Sequence, residues 1–201
     1  MRLWGWLREG FESAKLDAEI WSEGRLVWPR ALLLGYLAYA GVRHLVSDEY
    51  RSWFSGITLA FHEMGHLLFV ALGDTLHMLG GSILQVVVPL AAALYLWLRQ
   101  GDFFGLAVGG SWLSYSLWEL AIYVADARRE NLPLVGFGDD PQHDWATLLT
   151  RWQVLNYGDH FAWAIWGVAT ILWASSMALG LWLCWKMWQS RPQEPPPGAE
   201  R

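Results

Sequence analysis

Apolar residues in this chain fall in long blocks separated by short polar stretches, and the blocks have the length of membrane spans. A bilayer core of about 30 Å needs about 20 apolar residues in a helix. Five blocks meet or approach that length. The first, near 31–47, is short, with Arg30 and Arg43 placed to snorkel at its ends. The second, near 52–73, carries the sequence FHEMGH. The third, near 77–98, contains Gly80, Gly81 and Pro89, which read as a break or kink, and Gln85, which reads as a hydrogen bond between helices. The fourth, near 103–125, holds Ser111, Ser114, Ser116 and Glu119, and the fifth, near 160–188, is almost wholly apolar. Ahead of them, Trp4, Trp6, Leu7, Phe11, Leu16, Ile20 and Trp21 recur at near-helical spacing among charged residues. That pattern predicts an amphipathic helix lying in the membrane interface over 1–30. The expected architecture is therefore all-α: a polytopic helical membrane protein of about five transmembrane helices with an interfacial N-terminal helix. Residues 31–188 form one membrane domain. A long polar loop, 126–159, joins the fourth and fifth spans, and a disordered Pro-rich tail occupies 189–201.

Composition supports this reading. Of 201 residues only 16% are charged, against roughly a quarter in ordinary soluble domains, and 16 are Trp. Mean hydropathy is only +0.21 because the index scores Trp as slightly polar. A net charge of −5 with no basic stripe argues against a nucleic-acid partner, and one cysteine, Cys184, excludes an internal disulfide. An odd number of spans puts the termini on opposite sides. The N-terminal side then holds eight Lys and Arg and the other side six, which leans towards a cytoplasmic N-terminus.

Chemistry enters with His62-Glu63-Met64-Gly65-His66, an HExxH sequence inside an apolar helix. Residues i and i+4 share one helix face. Both imidazoles can therefore reach a single Zn²⁺ at about 2.0–2.1 Å. Glu63 follows the first ligand, where it can take a proton from an attacking water and pass it to a leaving amine. Two histidines and a glutamate within a span are expensive to bury, and such residues are functional by default.

FHEMGHLL within a span resembles the HExGH segment of the site-2 protease family, the intramembrane zinc metalloproteases, over residues 58–70. The resemblance implies zinc as cofactor, His62 and His66 as ligands and Glu63 as catalytic acid/base; Gly65 matches the family's small residue, and its lack of a side chain lets a helix or a substrate strand come close. In that family a carboxylate on a later span, in an Asp-Gly context, completes the metal site; this chain has no such motif. The stretch ADARRENLPLVG…HDW also resembles part of a group of small bacterial membrane proteins carrying HExGH. The expected location is accordingly a bacterial inner membrane.

A zinc hydrolase usually has three protein ligands and one open position. The third donor is sought in and beside the 126–159 loop. Asp126, at the end of the fourth span, and His143 rank together, either as alternative ligands or as one ligand and its hydrogen-bonding partner, with Asp144 or Asp126 able to orient His143. Glu119, buried in the fourth span, follows them; His77 and His160 sit at span ends. The favoured function is a zinc metalloprotease acting on peptide bonds of a membrane-embedded protein substrate, with lipids as its other partner. The alternative is a non-catalytic metal-binding or structural membrane protein with a relic HExxH. A metal transporter is disfavoured because the fifth span offers almost no polar path. Four protein ligands would mark a closed structural site, three a catalytic one.

Overall fold

A computed structural model of the chain describes residues 2–134 and 142–190. Asp139 and Asp140 of the polar loop and residues 191–201 of the Pro-rich tail lie outside the described residues. The described chain is helical, with no strand: α1 (Arg2–Ser22), α2 (Val27–Val46), α3 (Trp53–Phe69), α4 (Asp74–Gln100), α5 (Phe103–Asp126), α6 (Asp144–Arg151) and α7 (Gly158–Gln189). Three stretches are long and apolar enough to cross a membrane: Trp53–Leu72, Asp74–Gln100 and Leu155–Gln189.

α5 is the central helix and the most deeply buried. It packs along α7 and α4 and touches α2 and α3. Protein rather than lipid surrounds it, which is why it tolerates Ser111, Ser114 and Ser116, all fully buried. Two of these hydroxyls turn back to carbonyls four residues earlier, Ser111 to Ala107 and Ser114 to Gly110, so they enter the core satisfied. The main apolar cluster joins Leu34, Leu37 and Ala40 of α2 to Tyr115 and Trp118 of α5 and to Ala169, Leu183 and Met187 of α7. The Tyr115 hydroxyl closes it by donating to the Leu37 carbonyl at 2.6 Å. α1 lies against α7 through an ion pair between Glu19 and Lys186 (3.0 Å), leaving Leu16 and Ile20 exposed.

The third apolar block behaves differently from its reading as a broken span. α4 runs without interruption from Asp74 to Gln100, through Gly80, Gly81 and Pro89. The two glycines form the surface on which α3 crosses: a Cβ built on Gly80 would lie 2.6 Å from the Gly65 carbonyl oxygen. Small residues let the two backbones meet. Pro89 has no N–H, so the Gln85 carbonyl four residues earlier loses its helical donor. The Ser116 hydroxyl of α5 replaces it at 2.7 Å, and the Gln85 side-chain amide donates to the Ser116 carbonyl at 2.9 Å. The carbonyl freed by the proline thus ties α4 to α5. Gly101 then ends α4 in the left-handed region (φ 62°), and the Asp102 carboxylate caps α5 through the Gly105 N–H. That tight turn makes α4 and α5 an antiparallel pair.

The polar loop is likewise not structureless. It contains α6 and a 3₁₀ turn at Leu155–Tyr157. α6 is pinned onto α4 at both ends, by the Trp145 indole N–H to Ser82 Oγ (3.0 Å) and by Arg151 to Thr75 Oγ1 (2.9 Å).

Candidate metal centre

One face of α3 presents Ser52, Ser55, Leu59, His62, Glu63 and His66 to a cavity of about 760 Å³. The opposite wall comes from α5 (Glu119, Ile122, Tyr123), from the extended segment Leu132–Leu134 and from Asp144 at the start of α6. α3 rests mainly on α4 and touches α5 only lightly, so a cleft remains between α3 and α5.

The outer nitrogen of each histidine is already committed. His62 Nδ1 lies 2.9 Å from Gln85 Oε1. The Gln85 amide orientation follows from its other bond, since a backbone carbonyl only accepts and the nitrogen must face Ser116. Nδ1 of His62 therefore carries the proton and donates. His66 Nδ1 donates to the His77 carbonyl at 2.9 Å, and His77 Nδ1 donates back to the His66 carbonyl at 2.8 Å. In both rings Nε2 is the nitrogen turned to Asp144: it can donate a proton to that carboxylate in the metal-free protein, and in exchange for that proton it would offer its lone pair to a metal.

The two Nε2 atoms converge on one oxygen. Asp144 Oδ2 is 3.4 Å from His62 Nε2 and 3.4 Å from His66 Nε2. The three donor atoms all lie within 4.8 Å of one another, and no other three His, Cys, Asp or Glu side chains among the described residues converge in this way. A tetrahedral ion bound at about 2.0–2.1 Å has ligand-to-ligand edges of about 3.3–3.4 Å, and the two histidine–carboxylate separations match that length. Gly81 supplies the space: a Cβ there would stand 2.6 Å from each Nε2. Burial pushes the Asp144 carboxyl pKa up, but hydrogen bonds from His62 and His66 outweigh it and hold the group at about 2. With a metal in place of those protons, the donor set would be two neutral imidazoles and one carboxylate. Glu63 lines the same cavity and is not one of the three.

No family model, curated protein or solved structure matches this chain. The chemistry of the site therefore rests on its own geometry.

The residues expected from the sequence separate into three places. His62 and His66 meet in the trio. Asp126 and His143, expected as third ligands, are not brought to the trio; Asp144 supplies its carboxylate. Asp126 accepts the backbone N–H groups of Asn131 (3.2 Å) and Leu132 (2.9 Å), tying down the segment that follows α5. His143 is the N-cap of α6, its Nδ1 accepting the Ala146 N–H at 3.2 Å. The Nδ1 lone pair is used, so the proton sits on Nε2, which faces Asp126 Oδ2 at 3.6 Å. Burial pushes the His143 pKa down, against the pull of Asp126, and keeps the ring neutral near pH 7. Glu119 stands apart from both groups, hydrogen-bonded to Ser55 farther along the cavity.

Tyr123 links the outer pair to the trio. The His143 ring stacks on it at 4.2 Å between centroids. Its hydroxyl donates to Asp144 Oδ2 (3.1 Å) and accepts the Asp144 N–H (3.0 Å). Nothing in the sequence pattern singles out Tyr123; Asp144 is expected there only as a partner for His143, Gln85 as an interhelical hydrogen bond and His77 as a residue at a span end. One signal did exist: Pro89 four residues after Gln85 announces a free carbonyl needing a donor.

Proposed function

We propose that the protein is a zinc-dependent intramembrane metalloprotease of the site-2 kind, hydrolysing peptide bonds in or next to the membrane. In this reading α2 and α5 join the three apolar helices to give five spans, with the N-terminus cytoplasmic in a bacterial inner membrane. One observation carries the proposal: His62 Nε2, His66 Nε2 and Asp144 Oδ2 converge, each 3.4 Å contact shared at Oδ2, beside a cavity that Glu63 also lines. Three converging protein donors, not four, favour an open catalytic position over a closed structural site.

His62, His66 and Asp144 would hold the zinc. When bound, zinc polarises the scissile carbonyl and makes an attacking water acidic enough to ionise near neutral pH. Gln85 and the His77 carbonyl keep both imidazoles in the tautomer that offers Nε2. Tyr123 fixes the Asp144 carboxylate by its two hydrogen bonds. Glu63 accepts the proton of the attacking water and returns it to the leaving amine as the C–N bond breaks. A substrate helix must unwind locally to present an amide, because its own hydrogen bonds otherwise shield the carbonyl. The cleft between α3 and α5 provides room for such an extended stretch. Ser52, Ser55, Thr58 and Glu119 give that cleft a polar lining, along which water can reach the site.

The test is Glu63→Gln in the full-length protein, reconstituted in lipid with a membrane-embedded reporter. It is expected to keep about one zinc per chain and lose cleavage entirely. Full cleavage by this variant would overturn the mechanism.

A further inference from the structure

The cavity has a second polar end that the hydrolytic chemistry does not use. At the level of the first turn of α3, the Ser55 hydroxyl accepts the Ser52 N–H at 2.8 Å and donates to Glu119 Oε1. The hydroxyl proton is thereby committed. Among the described residues Glu119 has no other hydrogen-bond partner and no ion pair. An ionised carboxylate accepts about four hydrogen bonds. Glu119 is half-buried and lines the cavity, so its unused acceptor capacity faces the space in which substrate would lie. Arg51 lines the same end but turns its guanidinium to the Asp48 and Tyr50 carbonyls at 2.9 and 3.0 Å. Arg51 acts on Glu119 only through space, so a carboxylate set within an apolar helix with no ion pair has room for a closer cation.

Resting on the protease reading, we propose that Glu119, held by Ser55, is a specificity subsite for a basic side chain, Lys or Arg, of the substrate. The spacing sets its register. Ser55 precedes His62 by seven residues, about 10.5 Å along a helix rising 1.5 Å per residue. An extended substrate advances about 3.3 Å per residue, so the basic side chain lies about three residues from the scissile bond. Basic residues flanking a membrane span, whose long stems let the charge sit at the membrane edge, are the source such a site would draw on.

The test uses the zinc-loaded Glu63→Gln protein in nanodiscs and Leu-rich peptide hydroxamates, the hydroxamate at either end to fix the register on the metal. Lys or its neutral isostere norleucine is placed two, three or four residues away, and binding is read from tryptophan fluorescence. In one of the two series, Lys at the third position is expected to bind about tenfold tighter than norleucine, the scale of a charge-assisted hydrogen bond. Adding Glu119→Gln should erase that preference while zinc content and norleucine-peptide affinity stay unchanged. Glu119→Asp, which keeps the charge, should retain part of it; loss of zinc or helicity in the Gln variant moves the decision to this one. No Lys preference at any position, or one that survives Glu119→Gln, overturns the subsite and leaves the protease reading standing. Failure of every hydroxamate to bind, norleucine series included, overturns the peptidase reading and the subsite with it.

Discussion

Two histidine–aspartate groups lie on either side of Tyr123 in this protein, and only one of them converges in a way that could hold a metal ion. In the inner group, His62 and His66 spend Nδ1 on a side-chain oxygen and a backbone carbonyl, which leaves both Nε2 atoms aimed at Asp144 Oδ2. In the outer group, His143 spends its lone pair on the Ala146 N–H and Asp126 spends both oxygens on the Asn131 and Leu132 amides. The residue types are the same. The difference is whether the backbone has already claimed the donor atoms. A metal site needs three or more donor atoms that converge, and among the described residues the outer group brings no third donor to His143 and Asp126; it organises the chain around the inner group.

The sharpest way to break this comparison is to remove one carboxylate from each group. Asp144→Asn is expected to lower zinc affinity by more than about 100-fold, beyond the 10–100-fold typical of a residue that only supports a ligand. His66→Ala should take zinc from near one equivalent per chain to near none. Asp126→Asn should stay within about tenfold of wild type. Metal analysis with competing chelators measures all three, and equal losses for Asp144→Asn and Asp126→Asn would collapse the distinction.

How far the sequence shows these groups follows from the same physics. The i, i+4 spacing of His62 and His66 is a helical property, so the pair is legible without coordinates. Counting ligands directs attention to the 126–159 loop, which is where Asp144 lies. The choice of residue is not legible, because it depends on the Ala146 N–H capturing His143 and on Tyr123 turning Asp144 inward. Helix α4 teaches a similar lesson. Gly80, Gly81 and Pro89 look like a break by local propensity, yet each is satisfied by a neighbour: Gly80 by the Gly65 backbone, Gly81 by the two imidazoles, and the carbonyl freed by Pro89 by Ser116. Long-range partners override local preference here, and the sequence pattern alone does not name them.

Gly81→Ala probes the inner group from its floor. The added Cβ would sit 2.6 Å from both Nε2 atoms, too close for either ring to remain in place. Zinc affinity is expected to fall about tenfold to 100-fold, comparable to losing a group that orients a ligand. Unchanged affinity, measured by the same chelator competition, would mean that the metal lies away from the space Gly81 leaves open.

The carboxylate also carries a pH signature in the metal-free protein. Asp144 titrates at about 2 when folded, below its ordinary 3.8. A depressed folded value means stabilisation that is fully present above about pH 4 and lost as pH falls towards 2. The shift corresponds to about 2 kcal/mol. Thermal unfolding of the apo protein followed by tryptophan fluorescence should therefore show Asp144→Asn less stable than wild type by about that amount at pH 6, with the gap closing between pH 4 and pH 2. A gap independent of pH would assign the loss to packing instead of charge.

The smallest expected effect separates a capping histidine from a ligating one. His143→Ala removes the acceptor of the Ala146 N–H and the ring stacked on Tyr123, and is expected to cost about 1 kcal/mol of stability, the usual value of an N-cap. Because α6 carries Asp144 one residue later, zinc affinity should drop slightly, within about tenfold. His143→Asn is the informative partner. Asparagine caps helix N-termini at least as well as other residues, so most of the stability and nearly all of the zinc affinity should return. A carboxamide is no substitute for an imidazole on zinc, where the protein donors are Cys, His and carboxylates. If His143→Asn lost zinc as completely as Asp144→Asn, the ring would have to reach the metal and the two groups would merge into one. Recovery by asparagine keeps them apart, with one reading of histidine as a cap and the other as a ligand, decided in each case by what the backbone has already bound.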